Sequence, residues 1–520
     1  MSGSRQKKNR QDQNNDFLDP KTAREAAERK KQKRTDRMYA AVFIAFLVVA
    51  VAVVTWNSGI LQKRAAAVTV NGEKYTATEV NYYYSSIYNN FLGQYGSYAS
   101  MLGLDTSKPL KSQACGMLED GGTWFDYFLQ QAEEQMVTAT ALYKAAQAEG
   151  FTVEDLDQQI QDSLDNLDAS VESFNSSQNA DYNREQYLQL MYGKNMTEAA
   201  YKKLLERSFV VAAYATDFQD TTEASYTDAD LTKAYNENKN TYDVVDYEQI
   251  LVSGTPEAKT DDDGNAVEAT DEEKAAAMAE SKTIADGLYA KLDSADGLEA
   301  LAETEEKASY TNNEGSSYSD SDVGNWLFDE SRKAGDSTVM EVDGTGTYVL
   351  VFHSRHRHDY NIVNVRHILI QPEETELAED DEGYDADVAA KKEAAKAKAE
   401  EVLAQWKAGA ATEDSFIELV KEYSADTGSV EDSGLISDVS KDSGLVSEFK
   451  DWCLADRQVG DTGIVESSYG YHIMYLSSFG DPYWKVQVRN TLLNQAVNDW
   501  HAEKTEGYEA SEGFGIRFVG

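Results

Sequence analysis

Cysteine is nearly absent from this 520-residue chain: Cys115 and Cys453 stand alone. Two are too few for a disulfide framework in a chain of this length, and their spacing leaves open whether they pair. Basic charge is scarce too, with 48 Lys and Arg against 92 Asp and Glu and a formal net charge of −44. What base there is gathers at the front. Residues 1–37 hold 12 Lys or Arg against 6 Asp or Glu, which leaves about −50 on everything after them. Such a surface stays soluble, repels nucleic acid and favours cationic or unfolded basic polypeptides.

Metal chemistry also lacks its ligands. His353, His356 and His358 gather half of the six histidines into FHSRHRHDY. The interleaved Arg355 and Arg357 would repel a cation, and no Cys or spaced acid completes a site. The segment reads as a hydrated linker. DDDGN (Asp261 to Asn265) hints at a calcium loop, but setting Gly264 at its sixth position puts Lys259 first and Thr270 twelfth, where carboxylates are required. That stretch reads as a flexible turn, and no metal or cofactor is expected.

One long apolar run is present. Met38 to Trp56 is uncharged, and its 19 residues reach roughly 28 Å as a helix, close to the hydrocarbon thickness of a bilayer. Arg29, Lys30, Lys31, Lys33, Arg34 and Arg37 precede it, so the positive-inside rule keeps residues 1–37 in the cytoplasm and sends the bulk of the chain outside. The basic region is longer than a signal peptide's, and the small-residue site Ala65 to Ala67 lies beyond Lys63 and Arg64. A retained single-pass anchor over 38–56 is expected.

Beyond it, VTVNGEKYTATEV (Val68 to Val80) reads as a strand, a tight Asn71-Gly72 turn and a helix start. From Thr123 to Glu149, Trp124, Phe128, Ala132, Met136, Ala139 and Tyr143 recur at helical spacing, with Gly150 as the stop. Tyr82, Tyr83 and Tyr84 suit either a helical core or a peptide-binding wall. Near the C-terminus, Trp484, Val488, Leu492, Ala496 and Trp500 form an apolar stripe that needs a partner. The chain also repeats itself. VVDYEQILV (Val244 to Val252) parallels IVNVRHILI (Ile362 to Ile370), and WLFDESRKAGDS (Trp326 to Ser337) parallels WCLADRQVGDTG (Trp452 to Gly463), each before a final apolar strand.

Within the second copy, NVRHILI, YSAD, VSEF and YGYHIMYL follow one another between Asn364 and Leu476. That spaced set resembles the parvulin peptidyl-prolyl isomerases. The resemblance implies that His367, Asp426 and His472 form the polar floor of a proline cleft, with Leu445 and Phe449 lining it. Many members carry a Gly-Gly pair and a methionine where this chain has Ser433-Gly434 and Leu445, and leucine keeps the volume and apolarity of methionine. Gln249 and Tyr348 stand where the first copy would need its histidines, so that copy is expected to be a scaffold or client-binding module. The loop after the first strand carries Glu373, Glu374, Glu376, Glu379, Asp380, Asp381 and Glu382, where phosphate-directed members are basic; unphosphorylated substrates are expected.

AAQAEGFTVEDLDQQI (Ala145 to Ile160) and SYTDADLTKAYNENKNTYD (Ser225 to Asp243) resemble the N-terminal chaperone domain of foldases related to SurA and PrsA. No cysteine follows the apolar run to carry the lipid anchor common among them. The expected architecture is α+β: a basic tail (1–37), an anchor (38–56), a helical chaperone domain (66–241, completed by 482–504), a degenerate parvulin-like domain (242–358), an isomerase domain (361–479), each of the last two a small antiparallel sheet with helices around it, and a C-terminal tail (505–520). The implied function is isomerisation of X-Pro bonds in exported proteins at the outer face of a membrane, with no nucleic acid among the partners. A holdase without isomerase activity and a surface adhesion or wall-interaction protein share parts of this layout.

Overall fold

The computed structural model describes residues 38, 41–51, 53–54, 63–193, 195–260, 266–294 and 296–520. The chain forms two compact units, one from residues up to Thr221 together with Ala496–Gly520, the other from Thr222–Gln495.

The first unit is mainly helical. Strands Ala66–Val70 and Glu73–Thr76 form a hairpin through the left-handed Asn71-Gly72 turn, and Thr76 then caps the helix Ala77–Tyr95 in a reciprocal capping box with Glu79. Thr123 and Asp126 do the same for Trp124–Glu149, which ends on left-handed Gly150. The apolar face of that helix meets the first one in an aromatic core: Trp124, Phe128, Tyr83, Tyr84 and Phe91 are all buried. Burying a ring such as Phe128 is worth about 1.5–3 kcal/mol. Tyr83 and Tyr84 are therefore core, while Tyr82 packs at their margin on Tyr192 and Tyr201. Residues 505–520, expected as a tail, are built into this unit instead. Ala510–Glu512 pairs antiparallel with Ala66–Val70, and Val519 is fully enclosed. The helix Tyr483–Thr505 contributes Trp500, stacked on Phe218 at 4.5 Å.

The second unit contains two four-stranded antiparallel sheets of identical order. In the first, the strands run Ala308–Ser317, Asp243–Ser253, Gly346–Arg357, Ser337–Val342. In the second they run Leu435–Val439, Asn361–Ile370, Gly470–Pro482, Thr462–Ser467. Small backbone details repeat as well. Gly335 and Asp336 exchange bonds with Phe352, just as Gly460 and Asp461 do with Leu476. Arg332 lies over Trp326 as Arg457 lies over Trp452. FHSRHRHDY is not a linker: most of it continues the strand Gly346–Arg357, pairing as far as Arg357 with Asp243. Asp243 and Arg355 form an ion pair that lets so polar a sequence stay in the sheet.

Alternation sorts the side chains of the second sheet. Ile368, Ile370, Ile473 and Tyr475 face the helices Tyr384–Ala408 and Glu413–Tyr423, whereas Val363, Val365, Met474 and Leu476 face Phe449 and Trp452 of Ser447–Leu454. His367 and His472 belong by parity to the Phe449 side. Cys115 and Cys453 are both buried free thiols, and burial pushes Cys453 up to about 12. The possible calcium loop, Asp261 to Asn265, lies outside the described residues, as do residues 1–37 and parts of the apolar run.

Candidate active site

His367 and His472 lie on neighbouring strands, but not opposite one another. His367 faces Met474 and His472 faces Leu369, so the two imidazoles are diagonal neighbours on one face. Their Nδ1 atoms are 3.2 Å apart, and the rings stack at 5.3 Å. Asp426 comes to them from the loop after Glu413–Tyr423. That loop is tied to the strand by Ala425 N–H donating to Leu369 O and by Leu369 N–H donating to Ser424 Oγ. Asp426 then caps the short helix Thr427–Val430, and its Oδ2 lies 2.8 Å from His367 Nε2.

These contacts fix the protons. A carboxylate accepts, so His367 Nε2–H donates to Asp426 and leaves Nδ1 bare; His472 Nδ1–H then donates to His367, and His472 Nε2 accepts from Ser467 Oγ at 2.8 Å. Such a chain needs both rings neutral. Burial agrees, lowering His367 against the pull of Asp426 and, with His367 beside it, lowering His472 to about 4. For Asp426, burial acts upward, but hydrogen bonding from Ser429, the adjacent His367 and the Gly428 N–H outweigh it and hold the carboxyl below its usual range.

Over this polar chain lies a cavity of about 280 Å³ walled by Leu369, Ile436, Leu445, Val446, Phe449 and Tyr469. Phe449 stands edge-on to both imidazoles, at 5.4 Å from each. The structure thus brings together His367, Asp426, His472, Leu445 and Phe449 around one cavity. Sequence reasoning missed two serines. Ser429 donates to Asp426 at 2.7 Å, and Ser467 terminates the chain at His472. The Asp-x-x-Ser spacing at a helix start carried a signal for Ser429; nothing local marks Ser467. In the first sheet, Gln249 faces Leu350 and Leu251 faces Tyr348, the same diagonal register that His367 and His472 occupy.

The low value of His472 carries a pH dependence. Unfolded, the ring takes a proton near 6.5; folded, near 4, so the unfolded state binds more protons between those values. Its contribution to stability is complete above pH 6.5 and is lost as the pH falls toward 4. Amide protection across 361–479 should drop between pH 7 and pH 4.5, less so in His472→Gln. An equal drop in both proteins would show that His472 does not titrate this way.

A family model for the PPIC-type peptidyl-prolyl isomerase domain matches residues 348–478, and one for the SurA-like N-terminal domain matches residues 29–215. Among curated proteins none matches. Similar solved structures include PrsA of Bacillus subtilis (14% identity, TM-score 0.25, covering 77% of this chain and 93% of that one). The foldase protein PrsA of Streptococcus pneumoniae is another (14%, 0.25, 72% and 83%), as is one of two SurA-like chaperones of Campylobacter jejuni (12%, 0.14, 66% and 97%). At such TM-scores the superpositions carry no weight of their own, and the family rests on the two domain matches. Those matches give the chain a PPIC-type peptidyl-prolyl isomerase domain and a SurA-like N-terminal domain, and make it a parvulin-type peptidyl-prolyl isomerase.

Proposed function

We propose that the second repeat turns X-Pro bonds of unfolded, newly exported polypeptides at the outer face of a membrane, with His367, Asp426 and His472 as the polar floor and Leu445 and Phe449 as the proline wall. The observation that carries this reading is the neutral hydrogen-bonded chain from Ser467 to Asp426 lying beneath an apolar cavity. Rotation about the amide crosses a barrier of about 18–20 kcal/mol set by resonance, and no covalent bond breaks. The twisted amide has lost its charge separation, so a dry wall suits it better than water does. The hydrogen bonds of the floor are made among its own groups and hold both imidazoles fixed beneath the apolar wall, so the cleft keeps its polarity and shape as the amide turns. Neutral histidines add no charge that the twisted amide would have to tolerate. Leu445→Arg, at the mouth of the cavity, should cut turnover of an Ala-Pro peptide about tenfold or more without unfolding the chain; unchanged turnover would remove Leu445 and the cavity from the reaction.

The domain limits given above, apart from the C-terminal tail, are part of the proposal, with the first repeat as scaffold or client module. None of the seven acids between Glu373 and Glu382 has an ion-pair partner among the described residues, which supports unphosphorylated clients and no nucleic acid. Membrane anchoring over 38–56 is supported by residues 41–51, which are helical and expose Val42, Phe43, Ile44, Phe46, Val48 and Val49 to an unusual degree. No described helix is by itself long and apolar enough to cross a membrane. Protease added to intact cells should digest the chain from residue 63 onward and spare 1–37. Protection of the whole chain, or a mature N-terminus beyond Ala65, would contradict an outward-facing anchored protein.

A further inference from the structure

Cations are not spread evenly over the first unit, which comprises residues up to Thr221 and Ala496–Gly520. Lys63, Arg64, Lys74, Lys111, Lys144 and Arg517 have no carboxylate partner among the described residues, whereas its other described lysines and arginines each pair with an acid. These unpaired cations gather around one small sheet. Lys63 and Arg64 shortly precede the strand Ala66–Val70, and Lys74 lies in Glu73–Thr76. Lys144 Nζ donates to Asn71 O in the turn between those strands, Lys111 Nζ donates to Val519 O, and Arg517 belongs to the C-terminal segment itself.

The C-terminal segment draws them together. Gly513 N–H donates to Ala67 O, and Gly515 passes so near the start of the first strand that a Cβ there would lie 2.7 Å from Ala65 O. Phe514, between those glycines, is 53% exposed, with the Arg517 guanidinium over its ring at 5.3 Å. Alternation keeps the neighbouring acids off this surface. Ser511 and Lys74 both stand opposite Thr69, so these three share one face of the sheet. Glu512 stands opposite the buried Val68, on the face turned to the helix Trp124–Glu149, where it repels Glu133. Glu73 shares that other face and is held by Arg207.

Six residues, 57–62, separate the apolar run from Lys63. Fully extended, that stretch reaches about 25 Å, so the basic surface stays close to any bilayer the run spans. We infer that this surface, from Lys63, Arg64 and Lys74 to Phe514 and Arg517, lies against the outer leaflet and binds the phosphates of anionic lipids. The inference rests on the anchored, outward-facing reading given above. Most of the chain is acidic and is pushed away from such a membrane, so a local cluster of unpaired cations decides which side turns toward it. Each Lys or Arg near an anionic surface strengthens the contact about fivefold, and an aromatic ring beside them enters the boundary between headgroups and acyl chains. Contact at this face fixes how the first unit stands on the membrane.

The test places the full chain in nanodiscs of phosphatidylcholine with and without phosphatidylglycerol, with a fluorophore on Ser511→Cys; Ser511 is exposed and the native thiols are buried. Quenching of this label by nitroxide-bearing headgroups should rise several-fold when phosphatidylglycerol is present and fall at high salt. In Lys74→Glu with Arg517→Glu it should return to the phosphatidylcholine level while Ala-Pro turnover stays unchanged. Both side chains are exposed and neither holds an acid, so this variant folds. Equal quenching in the two lipid mixtures, or native quenching in the double variant, would overturn the assignment. So would capture of soluble polyphosphate without any response to phosphatidylglycerol, which would give the surface to a free polyanion. Failure of the anchor reads out separately, as release of the chain from vesicles by alkaline carbonate. A released chain that still prefers phosphatidylglycerol vesicles, and loses the preference with the charge reversal, keeps the surface without the anchor; one with no preference loses both.

Discussion

Replacing His367 and His472 together by alanine is expected to lower X-Pro turnover by about a hundredfold or more, the loss typical when a preorganised polar group is taken from a site. The two rings form one unit, since His472 can donate to His367 only while His367 donates to Asp426. Single and double variants should therefore lose similar activity. Stability should behave differently. His367→Ala alone leaves the His472 N–H and the Asp426 carboxylate without their partner, at about 1–3 kcal/mol. The double variant relieves part of this, because the His472 donor goes with its acceptor. Activity that falls with each ring while urea midpoints recover in the double variant is the expected pattern. Turnover preserved without both rings would take catalysis out of this site.

Gly434→Ala is expected to destabilise the second repeat by about 2–5 kcal/mol and to lower turnover with it. Gly434 has φ +71°, a left-handed conformation that costs an L-residue about 1–2 kcal/mol. A Cβ there would also lie 2.6 Å from the His367 carbonyl oxygen and 2.9 Å from Val420 Cγ2, and overpacking of this kind adds about 1–3 kcal/mol. Relief requires moving the backbone of His367, whose N–H is bonded to Gly434 O. The neighbouring Ser433, at φ +59°, has a side chain already, and Ser433→Gly should stay within about 1 kcal/mol of the native protein. Urea unfolding of the two variants, with turnover measured beside it, separates strain at Gly434 from general loop sensitivity. Native stability in Gly434→Ala would mean the turn adapts without disturbing His367.

Much of this site could be read in advance because its parts sit at strand positions whose parity the sequence carries. His367 lies among Val363, Val365 and Leu369, so its face was implied by alternation, and the diagonal register of Gln249 and Tyr348 in the first sheet follows from the same count. Ser467 was not readable, since its bond to His472 depends on the hairpin pairing of Thr462–Ser467 with Gly470–Pro482 and serine is common in turns. The His353 to His358 segment looked like linker because charge hides its alternation. Its place in the sheet is decided by tertiary partners, Asp243 for Arg355 and Asp246 for Ser354. The last residues looked like a tail for the same reason. Ala510–Glu512 is too short and polar to announce a strand, and pairing with Ala66–Val70 makes it one.

The central claim is that the isomerase chemistry resides in the second repeat and depends on its histidine pair. The most direct measurement is the rate of X-Pro isomerisation in a proline peptide with residues 361–479 and with residues 242–358, each first shown to be folded. Acceleration by 361–479 is expected and none by 242–358, where Gln249 and Tyr348 hold the corresponding register. Equal rates from both fragments, or no acceleration from a folded 361–479, would contradict it.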